Sequence, residues 1–214
     1  MARTTTKPKP TWRRRADARP DEILTAALDE FIAKGFDSAR IEDIATNAGL
    51  SKGAVYLYFD SKEALLRALV EREIAPLVGR VTAAAEAEAQ DPKAALTLFL
   101  GGVAALISNP RIFAVPRLVI SIAARFPELR DHYRRAVAEP GRAAIERLIR
   151  RGIELGQFRQ VDPVAATRAI IGPLLFEALW THVLAGESAL GDPAKFVRAQ
   201  IDVLVNGIGA SNDR

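Results

Sequence analysis

Apolar side chains recur along this chain at spacings of three and four, and no segment alternates residue by residue as a half-buried strand would. Ile41, Ile44, Ala45 and Ala48 fall at i, i+3, i+4 and i+7. The same stripe returns at Ile171, Leu174, Leu175, Ala178 and Leu179, and again at Val197, Ile201, Leu204, Val205 and Ile208. This periodicity predicts helices over 20–34, 41–48, 52–58, 61–88, 92–108, 112–124, 127–155, 163–184 and 193–208, with an interruption near Pro140-Gly141 in the seventh. Asp91-Pro92, Asp162-Pro163 and Asp192-Pro193 each place a capping acid before a proline suited to a first helical turn. Gly35 follows Lys34 where a helix C-cap belongs. The expected fold class is all-α, about nine helices.

The first three helices are short and tightly linked, and the later ones are longer and more apolar. That contrast divides the chain into a leader at 1–19, a small module at 20–66 and a larger helical domain at 67–209. The helix over 61–88 is expected to join the last two.

Charge sharpens the division. Residues 1–20 carry seven Lys and Arg against Asp17 alone, while the other 194 hold 23 basic and 25 acidic side chains. The overall +4 therefore describes a basic, disordered leader and not the body of the protein. Such an arm suits a phosphate backbone or simply solubilises the chain. No apolar run follows it, so it does not read as a secretory signal. The chain has no cysteine, which excludes disulfides and thiolate chemistry and fits a cytoplasmic setting. The longest charge-free run, Ala94 to Pro110, contains Gly101-Gly102, Ser108 and Asn109 and reads as a core helix, so no membrane partner is expected. His132 and His182 stand apart, and no ligand spacing predicts a metal or other cofactor.

The informative stretch is Gly49-Leu50-Ser51-Lys52-Gly53. Its letters satisfy G-x-S-x-G, but a nucleophile elbow needs a strand before the serine, and here the preceding residues have helical period. A serine hydrolase using Ser51 is the weakest of three readings, and no enzyme activity is expected. The second reading is a helix-turn-helix, with Gly49 supplying the turn and Ser51 the cap. Leu50, Val55 and Phe59 then face a core while Lys52, Tyr56 and Tyr58 point outward. Gly53 and Ala54 are small enough for close approach to a nucleic acid, and both tyrosines can donate to phosphates. Asp60 and Glu63 form a capping-box-like pair at the next helix, where Lys62 adds charge for a phosphate contact.

From Asp21 to about Leu69 these residues resemble the N-terminal module of the TetR/AcrR family of bacterial transcriptional regulators. The likeness rests on Ile23-Leu24-Thr25-Ala26-Ala27 with Phe31 and Lys34-Gly35-Phe36, then Ile41–Ala45, Ala48–Phe59 and Ser61–Leu66. It implies a recognition helix at Ser51–Tyr58 in the major groove. Lys52, Gly53 and Ala54 would lie nearest the bases, Tyr56, Tyr58 and Lys62 at phosphates, and Arg40, Thr46 and Ser51 within the same surface. Where the family often has Ser or Thr capping the second helix, this chain has Arg40, with Ser38 as a substitute cap.

The resemblance further implies a homodimer on a double-stranded, palindromic operator, with repression relieved by a small-molecule effector. The apolar stripes at Ile171, Leu174, Leu175, Ala178, Val197, Ile201, Leu204, Val205 and Ile208 are its candidate interface; packing within one subunit competes with that assignment. Phe99, Phe113, Ile122, Phe126, Tyr133, Phe176 and Trp180 are candidates to line an apolar effector pocket. The stretch Arg117–Leu129 also resembles the C-terminal domain of AefR-like regulators. A ligand-blind architectural DNA-binding protein remains the third reading. The arginines between 134 and 151 read as a solvated face, with Glu146–Arg150 and Arg150–Glu154 as i,i+4 pairs.

Overall fold

The computed structural model describes the backbone of residues 11–186 and 192–206 and the side chains of 19–186 and 192–204. Every regular element among them is helical, and none is a strand, so the fold is all-α as the periodicity predicts. The chain divides into two compact units between Leu69 and Val70.

The first unit contains four helices: α1 (Thr11–Ser38), α2 (Ile41–Asn47), α3 (Lys52–Tyr56) and α4 (Lys62–Leu69). α1 begins nine residues before the predicted start, so residues 11–19 of the expected disordered leader are helical and Pro20 lies inside the helix. Ala and Arg dominate that extension, and both favour helix, so the single N–H that Pro20 lacks does not end it. Near its other end α1 breaks at Gly35, whose φ of 75° side chains disfavour. Phe31 and Phe36 then stack across the break with ring centroids 5.6 Å apart. α2 and α4 pack on α1, and α3 packs on α2, around Ile23, Ala27, Leu28, Phe31, Ile44, Val55, Leu65 and Leu66.

The second unit is built around α6 (Pro92–Ser108), which packs on α5 (Ala75–Ala87), α7 (Pro110–Ile122), α9 (Glu139–Glu154), α10 (Pro163–His182) and α11 (Pro193–Asn206). α8 (Pro127–Tyr133) precedes α9. The charge-free run predicted to be buried is indeed the centre of the core, with Ala95, Leu96, Phe99, Leu100, Ala104 and Ile107 buried. α6 and α7 meet at 86° around Asn109, whose side chain caps α7. α5 and α6 approach closely at Gly102, where a Cβ would come within 2.7 Å of Val81.

Two predicted long helices are interrupted by π-helical turns, at Val70–Ile74 and at Arg134–Ala138. The second lies just before Pro140-Gly141. In both places a proline, Pro76 or Pro140, stands in the first turn of the following helix. It cannot donate to the carbonyl four residues back, and its ring crowds that carbonyl, so the preceding turn opens by one residue.

Candidate nucleic-acid interface

Four short-range devices fix the turn between α2 and α3. The N–H of Leu50 donates to the Ala45 carbonyl at 2.8 Å and that of Gly49 to Thr46 at 3.0 Å, closing the end of α2. Gly49 makes this possible with φ +67°. The Ser51 hydroxyl oxygen accepts the Ala54 N–H at 3.2 Å and so caps α3. Val55, fully buried, is the side chain that anchors α3 to the core.

The remaining residues of α3 and its exit face outward. Lys52 and Gly53 are exposed, Ala54 is half-buried, and Tyr56 and Tyr58 are 43% and 38% exposed. The Lys52 ammonium pairs with Glu42 on α2 at 2.5 Å and lies 5.8 Å from the centre of the Tyr56 ring. That hydrogen bond to Glu42 raises the Lys52 pKa and lowers that of Glu42. Thr46 is exposed, with its hydroxyl returned to the Glu42 carbonyl at 2.9 Å. Arg40 is exposed at the N-cap of α2 and makes no cap hydrogen bond through its side chain. The N-cap position is thus Arg40's, and Ser38 belongs to the last residue of α1.

The structure adds to two sequence-based assignments. The Lys62 ammonium is engaged within the unit. It donates to the carbonyls of Phe36, Asp37 and Ala39 at 2.7, 3.0 and 3.0 Å and lies 4.9 Å from the Phe36 ring centre. An ammonium has three donors, and all three are taken. The cap of α4 is Ser61, whose hydroxyl accepts the Ala64 N–H at 3.2 Å, and not Asp60. One residue escaped the sequence reading. Leu57, between the two tyrosines, is 81% exposed, the highest value among the described large apolar residues. Helical spacing assigned an orientation to its neighbours and gave no signal for it.

Sequence comparison matches residues 23–69 to bacterial regulatory proteins of the tetR family and residues 91–191 to the tetracyclin repressor-like C-terminal domain. The chain belongs to the tetR family of bacterial regulatory proteins. YfiR of Bacillus subtilis, an uncharacterized HTH-type transcriptional regulator, is 29% identical over 150 residues, covering 70% of this chain and 72% of YfiR. RutR of Escherichia coli is 46% identical over 68 residues, 30% of this chain and 32% of RutR. A TetR-family regulator from Mesorhizobium loti shares the fold at a TM-score of 0.74 and 22% identity, covering 90% of this chain and 97% of that one. This protein is a DNA-binding transcriptional regulator.

In the second unit of this TetR-family regulator the predicted pocket residues differ widely in burial. Phe99, Phe113 and Ile122 are buried core, while Phe126 and Tyr133 are half-buried. Phe176 and Trp180, expected inside, stack on each other at 6.1 Å and are 62% and 41% exposed. Burial pushes the Tyr133 phenol up to about 12. His182 is held structurally: its Nε2–H donates to the Ile107 carbonyl at 2.7 Å and its ring stacks on Phe113 at 5.0 Å. Among the described residues no three His, Asp or Glu side chains converge to hold a metal ion.

The proposed interface residues also separate. Leu174, Ala178, Val197 and Ile201 are buried within the unit's own core, so they are spent on packing inside one chain. Ile171 is half-buried, and Leu175 and Leu204 are exposed. The Val205 side chain and Ile208 lie outside the described residues. The exposed apolar residues of α10 lie one step round the helix, at Leu175, Phe176, Leu179 and Trp180, and continue just past its end at Val183 and Leu184. The solvated arginine face pairs differently from expectation, through Arg142–Glu146, Arg147–Glu86 and Arg151–Glu154.

Proposed function

We propose that the regulator is a repressor that binds a palindromic operator as a homodimer and is released by a small, mostly apolar effector. The observation that carries the DNA reading is the capped α3, anchored through Val55, which holds Lys52 and Tyr56 outward, with Tyr58 exposed just past its end. Arg40, Thr46, Ser51, Gly53 and Ala54 border the same surface, and Lys62 supports it from within. The dimer reading rests on α10. It is the one described helix long and apolar enough by composition to cross a membrane, yet only 28% of its apolar window is buried. A face with Leu175, Phe176, Leu179 and Trp180 exposed needs a cover, and a second copy supplies one. Two recognition helices then meet successive major grooves. Ser51 has no catalytic role in this reading, since its oxygen is engaged as a cap and a helix precedes it. The protein acts in the cytoplasm and needs no cofactor.

Fluorescence anisotropy on the intergenic DNA upstream of the gene tests this, with a scrambled duplex, a salt series and Tyr56→Ala beside the wild type. Preference for the native duplex with a steep salt dependence, lost in the variant, is the expected result. Equal, weak binding to both duplexes, unaffected by the variant, would sink it.

A further inference from the structure

Deepening the effector reading above, on which it rests, we propose that the groove between α10, α11 and the α9–α10 connection binds a small apolar monocarboxylate, with Arg159 taking the carboxylate. The cavity there measures about 500 Å³, within the range of small-molecule sites. Its walls are apolar, with Leu96, Ile149, Phe158 and Ile170 against the small side chains of α10. None of the seven residues predicted to line a pocket contributes to it.

The groove is built before any ligand arrives. Gly156, at φ +69°, turns the chain back, and the N–H groups of Gln157 and Phe158 both donate to the Gly152 carbonyl at 2.8 and 3.0 Å. Phe158 lies flat on α9 because residue 152 has no side chain; a Cβ there would meet the ring at 2.1 Å. Across the groove, the Gln200 amide of α11 donates to the Ile170 carbonyl of α10. A wall and a floor fixed in this way leave little ordering cost for binding.

The polar rim selects the ligand. Three polar side chains reach it: Gln157, Arg159 and Asp162. Asp162 is committed to the first turn of α10, where its Oδ1 accepts the N–H groups of Val164 and Ala165 at 2.7 and 3.2 Å. Arg159 has no ion-pair partner among the described residues. An unpaired guanidinium at the mouth of an apolar groove complements a carboxylate on an apolar body, because it offers two parallel N–H donors to the two oxygens.

The test is isothermal calorimetry of the intact protein with decanoate and with decan-1-ol, which share the chain and differ in the head group. Wild type should bind decanoate more tightly than the alcohol, by roughly three- to tenfold for a partly exposed pair. Arg159→Gln should remove that preference while leaving alcohol binding alone, and Arg159→Lys should keep part of it. Ala166→Trp, which fills the groove, should abolish both with the melting temperature unchanged. Equal binding of acid and alcohol, a preference that survives Arg159→Gln, or binding that survives Ala166→Trp would each overturn the site. So would decanoate binding seen only when the protein is dilute enough to be monomeric, since a second copy would then own the groove. Operator affinity of the same samples, read by anisotropy, reports on the regulator reading separately: an intact operator complex with no calorimetric signal fails the groove alone.

Discussion

The two units hold themselves together by different means. The first fastens its helices with charge: Lys34 on α1 pairs with the buried Glu30 at 2.6 Å and with Asp43 on α2 at 2.9 Å, and Asn47 donates to Glu30 at 3.3 Å. Lys62 then ties α4 to the turn after Gly35. The second unit relies mainly on apolar packing around α6, with polar ties such as Arg147–Glu86 and Gln200–Ile170 added to it, and leaves large apolar residues of α10 bare. A small module cannot bury enough surface to fix its geometry by packing alone, and directional bonds give it the rigidity that reading a groove requires. The larger unit has core to spare and can leave a sticky face for assembly.

The sharpest way to break this contrast is to charge the bare face. Phe176→Glu with Leu179→Glu should yield a monomer by analytical ultracentrifugation. Operator affinity should fall on the order of a hundredfold as the second half-site is lost. Both positions are exposed, so the melting temperature should hold; a dimer that persists would move the interface elsewhere.

Next in size is Lys62→Met, which strands three carbonyls and should cost the first unit about 2–4 kcal/mol in urea unfolding. If Lys62 instead served a phosphate, stability would be unchanged and the salt slope of operator binding would fall by about one.

Leu57 offers a smaller, cleaner effect. An exposed leucine on a reading surface suits a thymine methyl, so replacing one operator thymine by uracil should weaken wild type about fourfold, the worth of one buried methyl group. Leu57→Ala should be indifferent to that change.

Least in size, an absorbance titration should find one of the three tyrosines, Tyr133, ionising near about 12. Because its folded pKa is raised, its contribution is complete below pH 10 and is lost as pH rises toward 12. Tyr133→Phe should flatten that limb of the stability curve.

The first unit was readable because its signals are local. Gly49 and Ser51 dictate turn and cap within five residues, and Ile41, Ile44 and Ala45 show period directly. The carbonyl partners of Lys62 were not legible because they lie 23 to 26 residues away, and a lysine's sequence neighbours do not reveal whether its ammonium meets solvent or carbonyls. In the second unit the helices were legible and their rotation was not. Leu174 and Leu175 are equally apolar, yet one is fully buried and the other 48% exposed. On a helix with apolar residues all round, periodicity does not say which side meets α6. The groove at Phe158 was invisible for a related reason, since it depends on a ring resting on Gly152 from a connection the sequence marks only as a loop.

Because α3 is held by Val55 inside and by a cap at its start, the fold is indifferent to what stands at 52, 56 and 57. Substitutions at exposed positions of this kind shift stability by only a few tenths of a kcal/mol. A lineage carrying this protein is therefore free to drift from one target sequence to another by changing those side chains alone, without passing through a misfolded ancestor.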